Sequence, residues 1–302
     1  MKKNIIFVVL AGLSFNAEAY QYTIVQKQIL IQQHNANQPT GLEHLTPKEN
    51  VVPNVTIWVH ATKFMSFVGD YAHATPRPGL IHISEFSWTY RLKSLLQTIS
   101  AADPIQFPLE HLYAFGWSGV LSFDERKKEA QNLYNAIKLL MVTYKNKYGV
   151  EPHITLIGHS HGGNVILNVA RVKDKDFTTK ITAIMLGCPV QHETQEAIHD
   201  PLFEKVYSFY SESDWIQAGD PQGFYLNDTN HERHWELSSR MFCFDAKMRQ
   251  AQLQINSWGI WHLGYIRHYF LEILPRLVKE LDAWEIEMPS RPLQERVLLV
   301  NY

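Results

Sequence analysis

A chain of 302 residues, 45% hydrophobic and 19% charged, is long and apolar enough to bury one large core. Its 28 basic and 30 acidic residues leave a formal net charge of −2, with no basic patch, acidic tail or charge run, which argues against nucleic acid as a partner. No internal repeat or low-complexity tract is present.

The first element in chain order is a processing signal. Lys2-Lys3 precede an apolar run from Ile5 to Phe15, and Ala17-Glu18-Ala19 supplies a small-x-small cleavage site. This pattern predicts a signal peptide over residues 1–19, a mature start at Tyr20, and an exported protein, secreted or periplasmic. The apolar run is too short to span a bilayer comfortably, and no Cys stands at the cleavage point to carry a lipid anchor. A strand is expected near Tyr22 to Gln32.

From residue 55 onward, short apolar runs alternate with helical periodicity. That alternation predicts a single α/β domain over residues 20–302, with a mainly parallel sheet and helices on both faces. Strands are expected at Val55 to Val59, His111 to Phe115, His153 to Ile157, Ile181 to Leu186, Val206 to Tyr210 and Gln252 to Asn256. Helices are expected at Asp124 to Lys147, from the Ser160 turn to about Val172, and at Gly264 to Ala283, the last kinked at Pro275. Residues 63–108 and 215–250 exceed ordinary connections, and excursions of that length usually wall a ligand site. In the first, Phe64, Met65, Phe67, Val68, Tyr71, Trp88 and Tyr90 suit a lid or acyl pocket, while the spacing from Trp88 to Leu96 suits a packed helix equally well. Residues 284–302 read as a terminal extension. Cys188 and Cys243 are expected as two buried free thiols, with a single disulfide between them as the alternative. His231-Glu232-Arg233-His234 reads as polar surface, and no metal site is expected.

The chemistry-bearing segment is Gly158-His159-Ser160-His161-Gly162-Gly163. A Gly-x-Ser-x-Gly pattern alone arises by chance in roughly one chain in ten of this length. This copy follows the β-branched run His153 to Ile157 and precedes a helical run, and a strand, a sharp turn with Ser at its apex and a helix make a nucleophile elbow. A serine hydroxyl needs a base, and the base needs an acid to orient it. The acid is expected just past a later strand end, at Asp214, with Asp220 and Glu212 as alternatives and a helix-capping role as the bland reading of Asp214. The base is expected last, at His262 on the loop before the final helix, with His268 as the alternative. Oxyanion donors are expected from the backbone N–H of His161 and from Thr62, or else Ala61, after the strand ending at Val59.

The chain resembles an α/β-hydrolase of the lipase/esterase kind over nearly all of the sequence from Tyr20. Gly158 to Gly163 matches that family's elbow, with Gly158 and Gly162 as the elbow glycines. His60-Ala61-Thr62 is similar to its His-Gly-x oxyanion loop, although Ala61 stands where the family usually has Gly. Gly187-Cys188-Pro189 resembles a Gly-x-Pro turn, and Phe115-Gly116-Trp117-Ser118-Gly119 a Trp-Ser-Gly segment, of lipase-like members. The resemblance implies an α/β-hydrolase fold, no cofactor, and hydrolysis of a small-molecule or lipid ester, with transient contact with a lipid surface. An acyltransferase using the same three residues, or an inactive binding protein on the same scaffold, are the competing readings.

Overall fold

Val55, Ile57 and Val59 on one face of Asn54–Val59 and Thr56 and Trp58 on the other are all buried, which makes this segment a central strand, β1. The computed structural model describes residues 52–63, 75–87, 90–220, 237–243, 245–255, 258–287 and 297–300. The expected leader and the strand near Tyr22 lie outside these residues, as do Phe64, Met65, Phe67, Val68, Tyr71, Trp88, His231 and His234. All described residues belong to one compact unit, His44–Tyr302.

Apolar runs like that of β1 form β3 (Leu112–Gly116), β4 (His153–His159), β5 (Ile181–Leu186), β6 (Phe203–Tyr210) and β7 (Met248–Ile255). These six pair in parallel in the order β3-β1-β4-β5-β6-β7. One edge carries β2 (Gly79–His82), antiparallel to β3. At the other end, β8 (Trp258–Gly259) and β9 (Val297–Val300) pair with β7, antiparallel and parallel respectively. The sheet has nine strands among the described residues.

Five α-helices occur among the described residues: α1 (Arg91–Ala102), α2 (Phe123–Tyr148), α3 (His161–Val172), α4 (Trp215–Ala218) and α5 (His268–Glu287). Ser122 starts α2 by accepting the Glu125 N–H at 3.2 Å, and Gly149 ends it in the left-handed region at φ 75°. Helices α1 and α5 pack on each other and on the sheet face that carries Trp58, Ile184, Leu186 and Phe209. Helices α2 and α3 pack together on the opposite face, where Met185 meets Gly163. No described helix is long and apolar enough to cross a membrane.

Several sequence expectations need correction. The described part of the first excursion forms β2 and α1, and Leu92, Leu95, Leu96 and Ile99 of α1 are buried at helical spacing, as the packed-helix reading of that stretch expects. Tyr90 stacks on Phe86 at 5.0 Å and packs against the same core, so it belongs to that packing. The second excursion ends sooner than residue 250, because β7 begins at Met248. Helix α5 starts at His268, after a 3-10 turn over His262–Ile266, and passes through Pro275 to Glu287. The terminal stretch supplies β9. Both cysteines are free, but only Cys188 is buried; Cys243 lies exposed on the stretch leading into β7.

Candidate active site

The carboxyl ends of β4, β5 and β6 lie side by side, His159 in register with Leu186 and Leu186 with Phe209. Ser160 leaves β4 at this edge, and its N–H donates to Leu186 O at 2.9 Å. Its φ of 52° is the one positive value on a non-glycine residue among those described. Such a conformation costs on the order of 1–3 kcal/mol and persists only where its surroundings enforce it. Here they do. A Cβ on Gly162 would stand 2.3 Å from Val59 O and 2.6 Å from His60 O, and one on Gly158 would stand 2.6 Å from the Gly163 nitrogen. The elbow glycines therefore let α3 touch the ends of β1 and β4. Gly162→Ala is expected to destabilise the fold by about 1–3 kcal/mol, since backbone must move to admit the methyl group. A shift in the denaturant midpoint measures this, and an unchanged midpoint would contradict the close approach.

Asp214 follows β6 and is fully buried. Its Oδ1 accepts the Gln217 N–H at 2.9 Å and so caps α4, while its Oδ2 accepts from His262 Nδ1 at 2.8 Å. One carboxylate thus serves both readings the sequence offered, cap and partner of a histidine. Room for it comes from Gly187, at φ 55°, whose absent Cβ would lie 2.9 Å from Asp214 Oδ2. His262, in the 3-10 turn before α5, is 4% exposed. The His159 ring lies 4.9 Å from the His262 ring, and His159 Nε2–H donates to His262 O at 3.0 Å, so His159 supports the turn from beneath. Among the described residues no hydrogen bond joins Ser160 Oγ to His262. Nucleophile–base contacts are commonly loose before substrate arrives.

The alternatives lie elsewhere. Glu212 is exposed, and Asp220 pairs with His161 at 3.2 Å. His268 is exposed and bonds Thr98 Oγ1 at 2.7 Å on α1.

His161 is the first residue of α3, so its N–H sits at the positive end of that helix. The opposing loop, His60-Ala61-Thr62, is buried and comes against the elbow through Val59 O and His60 O. Trp117 N–H donates to His60 Nε2 at 3.0 Å, which leaves Nδ1–H to donate to Ala61 O at 2.5 Å. Trp117 Nε1–H returns a bond to His60 O at 2.7 Å, and Lys63 N–H reaches Gly119 O at 2.9 Å. His60 and Trp117 thereby fix the loop carrying Ala61 and Thr62. The sequence singled out Trp117-Ser118-Gly119 without giving it this task. Beside the loop a small cavity is lined by residues that include His60, Ala61, Thr75, Leu92, Leu95 and His159.

Three histidines of this region are buried in the neutral form. Burial, aided by the nearby Lys63 charge, holds His60 down to about 3. Burial also lowers His159 and His161, the latter against the pull of Asp220. A histidine whose folded pKa is depressed binds its proton more readily unfolded, so stability falls as pH drops below the unfolded value near 6.5. Each such group removes up to about 1.4 kcal/mol per pH unit on the way down, until its own folded pKa is reached. The melting temperature is therefore expected to fall steeply from pH 6.5 to pH 4.5, and a flat profile there would contradict the neutral, buried state.

Among the described residues, no group of three or more His, Cys, Asp or Glu side chains is arranged to hold a metal ion. What the geometry provides is a serine on a strained turn, a histidine oriented by a buried carboxylate, and two backbone segments facing that turn. Neither a scan of the chain against models of protein families nor a search of curated proteins finds a match.

Proposed function

We propose that this chain is an exported serine hydrolase with an α/β-hydrolase fold, cleaving carboxylic esters of lipids or other acyl groups through an acyl-enzyme. The observation that carries the reading is the buried Asp214–His262 bond, 2.8 Å long, at the same sheet edge as the strained Ser160. Support also comes from the sheet. Ligands of open parallel sheets bind beyond the carboxyl ends of the strands, and the nucleophile of this fold stands on a strand–turn–helix at that edge. Both features recur at Ser160, between β4 and α3.

In this reading Ser160 Oγ attacks the acyl carbonyl while His262 Nε2 takes the hydroxyl proton. Asp214 Oδ2 holds the Nδ1–H and stabilises the imidazolium. The carbonyl oxygen, now negative, is met by the N–H groups of His161 and Thr62, with the α3 dipole adding to their field. His262 returns the proton to the departing alcohol, and water repeats the sequence to free the acid and Ser160.

The test is fluorophosphonate labelling of the protein from Tyr20, with the adduct located by peptide mass spectrometry, followed by an ester panel graded by acyl length. An adduct on Ser160 and turnover of acyl esters are expected. A folded sample that takes no label, with or without detergent, would overturn the reading.

A further inference from the structure

A second buried histidine–carboxylate pair stands beside the first. Asp220 is 8% exposed and lies outside the relay, since the carboxylate bonded to His262 is that of Asp214. A carboxylate is buried at such a place only with donors around it. Oδ1 accepts from His161 Nε2–H at 3.2 Å. Oδ2 accepts from Gln191 Nε2–H and from Ser238 Oγ–H, each at 2.7 Å. The other ring nitrogen of His161 is engaged as well. Asn164 Nδ2 can only donate, so Nδ1 of His161 accepts from it at 3.3 Å, which leaves the proton on Nε2, facing Asp220. Asn164 is itself held, donating to Pro189 O at 2.9 Å and accepting from Thr194 Oγ1.

With both nitrogens engaged, the His161 ring has neither a lone pair nor a proton to offer substrate. Its residue nonetheless supplies the N–H that follows the nucleophile, and an oxyanion donor acts through its fixed direction rather than through mere presence. A ring held at both nitrogens ties the Cβ and Cα of His161, and with them the first residue of α3, to Asp220 and Asn164. We propose that Asp220 is a positioning residue for this site: by clamping the His161 ring it fixes the direction of the His161 N–H toward the developing oxyanion. This inference rests on the serine-hydrolase reading. Ser238 bonds Asp220 at Oδ2, the oxygen that does not face His161, and its N–H also donates to Asp220 O at 3.0 Å.

The test compares Asp220→Ala, His161→Ala, their double variant and Ser238→Ala on a soluble ester, with enzyme concentration set by active-site titration. Losing an oxyanion donor outright costs roughly 10²- to 10³-fold, and misdirecting one should cost less. Asp220→Ala is therefore expected to lower kcat by about 10- to 100-fold with KM within about threefold. Its inhibition constant for a matched trifluoromethyl ketone should rise in parallel, because that adduct carries the oxyanion. His161→Ala keeps the N–H but loses the clamp and should match Asp220→Ala, with the double variant about as slow as either single, since coupled sites are not additive. Ser238→Ala leaves the His161–Asp220 bond and should stay within about twofold of the parent. If Asp220→Ala does not fold, His161→Ala and its ketone affinity carry the same test. Unchanged kcat and ketone affinity in a folded variant would overturn the proposal while a fluorophosphonate adduct on Ser160 kept the parent reading. An equal loss in Ser238→Ala, which keeps the His161–Asp220 bond, would also overturn it, assigning the effect to the burial of Asp220 and not to its hold on His161. A parent protein that took no label would overturn both.

Discussion

Ser160→Ala is expected to lower ester turnover by about 10⁵- to 10⁶-fold while leaving the fold intact. In the proposed reading Oγ forms the acyl-enzyme, so the variant keeps what the N–H donors and substrate binding contribute. That residue of activity is roughly 10³–10⁴ over water. The fold should survive because Ala meets the same backbone demand as Ser at φ 52°, and the Ser160 N–H still donates to Leu186 O. The stability change is therefore expected within about 0.5 kcal/mol. Steady-state turnover and thermal unfolding on one purified sample measure both halves. A folded variant keeping more than a hundredth of the parent rate would remove Ser160 from the chemistry, and an unfolded one would leave the rate uninformative until Ser160→Gly replaced it.

What the sequence reveals about this arrangement follows from which forces act locally. Central strands are buried on both faces, so β1, β4 and β5 stand out as short runs of apolar and β-branched residues. The elbow is legible because two close approaches, at Gly158 and Gly162, exclude side chains at fixed spacing. The start of β7 is hidden for the opposite reason. Its first residues include Arg249 and Gln250, both buried, and their polar groups are satisfied by backbone: Arg249 by Ala246 O at 2.6 Å, Gln250 by Phe242 N–H and O at 3.1 Å each. A polar strand with local partners leaves no hydrophobic signature. β2 is only four residues long, and its place at the edge depends on pairing with β3 rather than on its own pattern. Least legible are the side-chain clamps. His60 meets Trp117 57 positions away, and His161 meets Asp220 59 positions away. Each is set by which strand ends the sheet order brings together. The sequence names the members of such pairs without pairing them, which is why Asp220 read as a rival to Asp214 when the two carboxylates face different histidines.

That separation makes the base assignment the sharpest remaining comparison. His262→Ala is expected to cost about as much as Ser160→Ala, roughly 10⁵- to 10⁶-fold, and the double variant little more, because the nucleophile without its base and the base without its nucleophile are equally idle. Asp214→Asn should cost less, about 10⁴-fold, since the amide keeps the space but no longer favours the tautomer with its proton on Nδ1. His268→Ala should stay within about twofold. Its ring bonds Thr98 Oγ1 and, at 3.4 Å, Ser94 Oγ, so it ties α5 to α1 at the surface. Losing such an exposed contact belongs with surface substitutions, worth about 0.5 kcal/mol of stability and nothing in rate. Adding imidazole to the His262→Ala protein should restore part of the rate, because the vacated space beside Asp214 is the size of the missing ring and Asp214 still accepts an N–H. The decisive result against this assignment would be an active His262→Ala protein alongside an inactive, folded His268→Ala protein. It would mean that the 2.8 Å Asp214–His262 bond serves only to hold the turn before α5 in place.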